Sequence, residues 1–433
     1  MKMKQKAISV VTLLLTTALL TACSSKENKQ TEDTAINSTM KFSDTVYNFD
    51  TDWQYYYRCD ISPLPITCSE KGYYIQSGGR GRVDFIDRSS LMYAPLCGKA
   101  NCDHKNPDIC DAWKVEFSDV ARGGLTFTQG IQFYNGKLYY LKYETDNMSM
   151  SRRYVLSCCD ENGTNDRQLF ELDGDDWLIH RGYVYCFTDG DIHRVSLDSP
   201  ENKETVVQFE NYEQHSNTVS FKIVYGDHMY TSYRVYEDEL QIRRKNHSEM
   251  IDLNTLERKN IEYNDGNPHI TAALNGKLFF MLESNKQGKR ETLEYYSCNE
   301  DFTDIKEIAV KKPGEFFVCD SKYIYLNDGS MINMNLHFET PYEKSTKAEE
   351  AGYSGQTITI YDLEMNEVDS FLIPSEYPAV YINGCDPQYF ILYVPISDDQ
   401  VISGMPQNYK LCLIDKSKIG TYNGDPAELI EIS

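Results

Sequence analysis

The sequence predicts an all-β protein that folds as a single β-propeller with seven blades. Three observations predict this fold. A hairpin-like segment recurs seven times, the copies are spaced at intervals typical of a four-stranded unit, and helical periodicity is missing from any stretch beyond about a dozen residues. Because each unit can bury its faces only against its neighbours, the copies predict one domain.

The recurring segment consists of a turn followed by an alternating aromatic strand. Its clearest copies are FYNGKLYYL and LNGKLFFML, in which Asn-Gly suits a tight turn because both positions need positive φ. The seven copies are Lys71–Gln76, Phe133–Leu141, Arg181–Phe187, Tyr225–Tyr233, Leu274–Leu282, Asp320–Leu326 and Asn383–Val394.

A second apolar alternation follows each copy and usually closes on an acidic or polar turn, as in RVDFIDRSS and KLCLIDKSK. This pairing is typical of the inner hairpin and third strand of a propeller blade. Successive copies lie 64, 46, 44, 50, 45 and 65 residues apart, so the two long intervals predict insertions. Thr45–Asp60 has strand composition and is a candidate to close the ring by pairing into the last blade.

The N-terminus predicts export and lipid anchoring. Three lysines precede an apolar run, Ala7–Leu20, that is too short to span a bilayer. The run ends in Leu-Thr-Ala-Cys, which resembles the lipobox of bacterial lipoproteins. The resemblance implies that residues 1–22 are a cleaved signal peptide and that Cys23 is acylated, for example with palmitate.

Residues 23–43 are predicted to form a flexible tether, because Ser24–Met40 has no aromatic residue to support a core. The propeller is predicted to span residues 44–433. The formal charge of the chain is −23, and loss of residues 1–22 removes three lysines and leaves −26. Such a body is repelled by nucleic acid and by anionic lipid, so contact with the membrane is expected through the lipid alone.

The strongest candidate site is the stretch LCGKANCDHKNPDIC, which lies in the first long interval, after the outer strand of the first blade. Its spacing is C-x4-C-x-H-x5-C, and the candidate ligands are Cys97, Cys102, His104 and Cys110. Three thiolates and an imidazole satisfy tetrahedral zinc. Asp103 and Asp108 flank the ligands and are candidates to orient the imidazole.

Two alternatives to a structural metal stay open for this stretch. Exported proteins commonly pair their cysteines, although three cysteines in one loop leave one unpaired unless Cys59 or Cys68 reaches it. The thiols can also stay reduced and inert. The position of the loop favours a local staple, by metal or disulfide, over a catalytic thiol, which would need a positioned base.

The lipobox, the Tyr-rich blades and the loop LCGKANCDHKNPDICDA together resemble a family of TolB-like β-propeller lipoproteins from Gram-positive anaerobes. The resemblance covers most of the chain that follows the signal peptide. It implies the propeller fold and a location at the extracytoplasmic face of the cell membrane. The resemblance implies no particular activity for this chain.

The sequence favours a binding or scaffolding module that recognises an extracellular protein, peptide or glycan and is monomeric. It shows no nucleophile elbow, zincin helix or Gly-rich phosphate loop. A propeller enzyme remains an alternative because catalytic carboxylates from different blades leave no linear motif. Metal handling at the Cys/His loop is the other alternative.

Overall fold

The structure of the protein is a computed structural model. It describes residues 66–76, 82–106, 108–114, 131–145, 152–174, 176–188, 190–209, 219–236, 244–264, 266–274, 276–283, 293–308, 316–320, 322–327, 355–374, 381–383, 386, 388–395, 401–402, 405–406 and 409–432. The chain divides into two compact units, residues 1–40 and 41–433, and every described residue belongs to the second. Among the described residues, no helix has the length and apolar character needed to cross a membrane.

Seven four-stranded antiparallel sheets form a seven-bladed β-propeller, which confirms the predicted fold class. Blades 1 to 4 consist of β1 Ile66–Cys68, β2 Gly72–Gln76, β3 Val83–Asp87, β4 Tyr93–Pro95, β5 Gln132–Tyr134, β6 Lys137–Thr145, β7 Arg152–Asp160, β8 Arg167–Leu172, β9 Asp176–His180, β10 Tyr183–Phe187, β11 Asp191–Ser196, β12 Lys203–Gln208, β13 Val219–Tyr225, β14 His228–Tyr236, β15 Arg244–Asp252 and β16 Arg258–Asn260.

Blades 5 to 7 follow the same order along the chain. They consist of β17 His269–Leu274, β18 Lys277–Glu283, β19 Leu293–Asn299, β20 Lys306–Ile308, β21 Phe316–Cys319, β22 Ile324–Asn327, β23 Gly355–Tyr361, β24 Glu367–Pro374, β25 Tyr381–Asn383, β26 Tyr389–Pro395, β29 Tyr409–Asp415 and β30 Ile430–Ile432. A small hairpin, β27 Val401–Ile402 and β28 Met405–Pro406, interrupts blade 7, and a single 3-10 turn, Lys416–Lys418, follows β29.

All seven recurring segments lie at the first turn of a blade, where the first and second strands meet. At the turn between β5 and β6, Asn135 and Gly136 both have positive φ, at 47° and 76°. Tyr134 pairs with Lys137 across this turn, so it has the two-residue geometry that Asn-Gly favours. The second alternation of each repeat forms the third strand of its blade, as predicted.

The core lies between blades, because the side chains of adjacent sheets interdigitate. Blade 4 packs on blade 5 through a cluster that includes Tyr225, Tyr230, Leu278 and Phe280. Blade 6 packs on blade 7 in the same manner. Most of the largest fully buried side chains are tyrosines, which assigns these rings to blade packing.

Blades 7 and 1 meet where the two ends of the described chain come together. Ile391, Leu411 and Leu413 of blade 7 pack with Tyr73 and Ile86 of blade 1. The outermost strand of blade 7 is β30, near the C-terminus. The predicted ring-closing segment, residues 45–60, lies outside the described residues.

Candidate metal centre

The Cys/His loop, residues 96–114, leaves blade 1 after β4 and is fixed at both ends to one residue of β3. Val83 O accepts a hydrogen bond from Leu96 N at 2.9 Å, and Val83 N donates to Ala112 O at 2.8 Å. Within the loop, Lys99 Nζ lies 2.8 Å from Asp111 Oδ1 and donates to Ile109 O at 2.6 Å. These contacts hold the outgoing and returning arms of the loop together.

The loop brings all four predicted ligands into one cluster. One ligand atom each from Cys97, Cys102, His104 and Cys110 lies within 4.8 Å of the other three. His104 Nδ1 is 3.4 Å from Cys110 Sγ. Tetrahedral zinc, with bonds of about 2.3 Å to sulfur and about 2.1 Å to nitrogen, separates such atoms by about 3.6 Å. The geometry therefore fits a single tetrahedral ion.

Two residues with left-handed backbone make this convergence feasible. Asn101 and His104 have φ angles of 61° and 58°. Asparagine and histidine tolerate this region better than most residues, and such conformations concentrate at functional sites. Trp113 Nε1 donates to His104 O at 3.1 Å, which ties the turn that carries the imidazole to the returning arm.

Backbone N–H groups point at two of the sulfurs. Lys99 and Asp111 donate to Cys97, and Ala112 donates to Cys110. Desolvation opposes ionisation of Cys97, but the N–H donors and the hydrogen bonds from Cys110 and Cys102 together outweigh it and lower the pKa of this thiol. Desolvation raises the pKa of Cys110 to about 11 despite its own donor.

The loop also packs against the turn between β7 and β8 of blade 2, residues 161–166. Gly163, with a φ of 84°, lies so close to Leu96 that an added Cβ would meet Leu96 O at 2.6 Å. The buried Lys114 donates to Gly163 O at 2.7 Å and lies 3.6 Å from Asp166. Leu96 belongs to the core cluster shared by blades 1 and 2. Both ends of the loop thus contact the neighbouring blade.

The remaining predicted site residues occupy other positions. Cys23 lies outside the described residues, as does Cys59. Cys68, the alternative partner for a loop cysteine, is buried in the cluster between blades 7 and 1. Asp103, a candidate to orient His104, accepts a hydrogen bond from Lys105 N at 3.1 Å and so supports a turn of the loop. Cys97, Cys102 and Cys110, the three cysteines of the loop, are free thiols.

A second cluster, which the sequence analysis missed, joins blades 4 and 5. His228 Nδ1 lies 2.9 Å from Asp227 Oδ1 and 3.0 Å from Glu300 Oε1. Desolvation lowers the pKa of His228, but the hydrogen bond to Glu300 and the charges of Asp227 and Asp252 outweigh it, so the pKa is raised. We interpret this cluster as an ion pair between blades, because one protonated nitrogen faces both carboxylates.

No family profile and no curated protein sequence matches the chain. Solved structures resemble it at low identity. The tricorn protease is 9% identical with a TM-score of 0.47, and the match covers 86% of this chain and 35% of that one. The Pyrococcus horikoshii acylaminoacyl peptidase is 10% identical with a TM-score of 0.43, covering 69% and 45%.

TolB from Acinetobacter baumannii is 15% identical with a TM-score of 0.29, covering 81% of this chain and 78% of that one. The similar structures therefore include TolB-like β-propellers. At these identities the likeness concerns the fold alone. The chain spans about a third of the tricorn protease and less than half of the acylaminoacyl peptidase.

Proposed function

We propose that this protein is a lipid-anchored extracytoplasmic lipoprotein whose propeller acts as a binding or scaffolding module. Its partner is an extracellular protein or peptide, or a glycan, that contacts the Cys/His loop. The observation that carries this proposal is the combination of a fixed loop backbone with outward-facing side chains. Loops that a rigid scaffold holds in place are common recognition elements.

The outer surface of the loop has the composition of a recognition surface. Lys105, Asn106 and Asp108 are exposed, and Ile109 is 56% exposed beside them. Protein interfaces have an apolar centre and a polar rim, and Ile109 with its polar neighbours could supply one such contact. We therefore place a protein or peptide partner first and a glycan second.

The location rests on the N-terminal sequence. The lysine-rich start, the short apolar run and the Leu-Thr-Ala-Cys motif support acylation of Cys23. A tether of residues 23–43 would then hold the propeller away from the bilayer surface.

The contacts of the buried aspartates argue against catalysis by paired carboxylates. Each of three buried aspartates pairs with a cation and accepts a hydrogen bond from a tyrosine hydroxyl. These sets are Asp84 with Arg82 and Tyr93, Asp320 with Lys416 and Tyr325, and Asp386 with Arg88 and Tyr73. Such contacts assign these acids to holding strands and blades together.

The binding proposal is tested by crosslinking in intact cells that produce the full chain. We expect Ile109→Asp to reduce recovery of the wild-type partner by about tenfold or more, since central contacts often contribute about 2 kcal/mol. Val368→Asp is the matched control, because Val368 is a 39% exposed apolar residue of blade 6. Recovery of the same partners with Ile109→Asp as with the wild type would contradict the proposal.

The anchoring proposal is tested separately with Cys23→Ser. The wild-type chain should partition into detergent and carry a diacylglyceryl group on its N-terminal peptide by mass spectrometry. The variant should lose both properties. A wild-type chain with an unmodified N-terminus in the aqueous fraction would rule out the anchor.

A further inference from the structure

We infer that Cys97, Cys102, His104 and Cys110 bind one Zn²⁺ ion as a structural site that staples the Cys/His loop to blades 1 and 2. This inference goes beyond the proposed function, because the metal would be bound whether or not a partner is present. It also chooses between the alternatives that the spacing alone left open.

The geometry favours a metal over a disulfide. A disulfide requires two sulfurs about 2.0 Å apart and uses only one pair of the three cysteines. It would leave the third thiol and the imidazole of His104 in the cluster without a role. One tetrahedral ion uses all four groups, and the 3.4 Å distance from His104 Nδ1 to Cys110 Sγ already approaches the separation that zinc imposes.

Backbone N–H groups point at two of the sulfurs, as is suitable for sulfurs that bind a cation. Donation from Lys99 to Cys97 and from Ala112 to Cys110 places an N–H two residues after each cysteine against its sulfur. Hydrogen bonds of this kind stabilise a thiolate more than a thiol, since the acceptor is then charged. A cation bound between the sulfurs would add to this effect and would ionise the coordinating thiols.

The ligand set selects the metal and its role. Three soft thiolates and one imidazole suit zinc and are poor ligands for magnesium or calcium. Four protein ligands complete the tetrahedral shell and leave no position for water or substrate, which is the arrangement of structural sites. A metal-handling role would require labile metal, whereas the loop arms are clamped by Lys99, Asp111 and Trp113.

The consequence for the fold is local. Leu96 and Lys114, at the two ends of the loop, both contact the blade 2 turn around Gly163. Zinc between these ends would fix the loop as one unit against that turn. The exposed residues of the loop would then keep a constant position relative to blades 1 and 2.

Metal analysis of the full chain, purified in detergent without chelators, tests the inference. We expect about one zinc per chain in the wild type. Cys102→Ser and His104→Ala should lower the zinc content by about tenfold or more, because even residues that only support a ligand commonly change affinity by that factor. Cys186→Ser is the control, since this buried cysteine lies in β10 of blade 3, and it should keep its zinc.

A measurement on the wild type covers the case in which a variant fails to fold. Cys97, Cys102 and Cys110 should resist alkylation until a strong chelator is added. Amide exchange at Trp113 should then accelerate while exchange in blade 5 stays unchanged. Ile109→Asp should retain zinc, so loss of partner binding and loss of metal can be told apart.

Three results would overturn the inference. The first is a zinc-free wild-type chain whose loop cysteines alkylate at once. The second is a disulfide between two of them in peptide mapping. The third is equal zinc content in folded Cys102→Ser and Cys186→Ser.

Discussion

Through His228, the stability of the contact between blades 4 and 5 depends on pH. Its ring lies between Asp227 and Asp252 of its own blade and Glu300 of blade 5, and Tyr230 packs beside it at 6.1 Å between ring centroids. Because the folded-state pKa of His228 is raised, protonation stabilises the folded protein. This contribution is fully present below the unfolded pKa of about 6.5 and is lost as the pH rises through the higher folded pKa.

We expect histidine-labelled NMR to show His228 titrating above its ordinary value of about 6.5. Glu300→Gln should lower the pKa of His228, because it removes the negative charge of the hydrogen-bond acceptor that raises this pKa most. Asp191→Asn, beside His193 in blade 3, is the control and should leave the His228 titration unchanged. A His228 pKa that does not fall in Glu300→Gln would contradict the ion-pair interpretation.

At the scale of the element, the turn after each third strand explains the acidic repeats in the sequence. Asp87, Asp252 and Asp415 end third strands and Asp362 directly follows one, and their side chains accept hydrogen bonds from backbone N–H groups two to four residues later. The Ser89 hydroxyl, together with the N–H groups and the Ser90 hydroxyl that also donate to it, lowers the pKa of Asp87 to about 2. The repeated aspartate is therefore a turn-forming residue.

In blades 1, 2, 5 and 7 the residue that follows this position is charged and reaches the preceding blade. Arg88 pairs with Asp386 at 2.8 Å, and Lys416 pairs with Asp320 at 2.7 Å. Glu161 accepts from Ser69 at 2.6 Å, and Glu300 lies at 3.0 Å from His228. In these four blades one repeat position thus supplies a polar contact to the neighbouring blade, with either sign of charge.

Lys416 and Lys418 form a matched pair for testing this contact. The side chain of Lys416 is 3% exposed and that of Asp320 is 1% exposed, so Lys416→Met leaves the buried carboxylate of Asp320 without its cation. We expect a loss of about 3–5 kcal/mol in the free energy of unfolding, measured with urea. Lys418 pairs with Glu428 at the surface, and Lys418→Met should change stability little. Equal effects of the two substitutions would show that the contact between blades 6 and 7 contributes little.

At the scale of the whole molecule, side chains join the two ends of the described ring. Each blade takes its four described strands from one continuous part of the chain, so blades 7 and 1 exchange none of the described strands. Tyr73 donates to Asp386 at 2.7 Å, and the Arg88 guanidinium lies 4.6 Å from the Tyr73 ring centroid. Apolar packing of Ile391 and Leu413 surrounds this contact.

We expect Arg88→Met to loosen this junction, because Asp386 is fully buried and would lose its cation. Hydrogen exchange should accelerate in β2 and β26 together, although they lie at opposite ends of the chain. Arg153→Met, which removes a surface pair with Glu171 in blade 2, should leave both strands unchanged. Acceleration confined to β2 would mean that blade 7 does not depend on this contact.

The sequence predicted the repeats well because their signals are local. Asn135-Gly136 and the alternating aromatics encode a turn and a strand within about ten residues. It also singled out Cys97, Cys102, His104 and Cys110, which the structure brings together in one cluster, because they lie within one loop. It missed His228 and Glu300. A charged residue directly after the aspartate or asparagine of a third strand, as Glu300 is, was a signal that could have found this contact.

The sequence by itself determined the blade count, the order of strands and the residues available to a metal. Only the tertiary structure decided which groups meet. Tyr73 and Asp386 are 313 residues apart in sequence, and Lys114, in the loop after blade 1, reaches Gly163 of blade 2. Turn and strand preferences act over a few residues, whereas these contacts depend on how adjacent blades pack, so no local pattern specifies them.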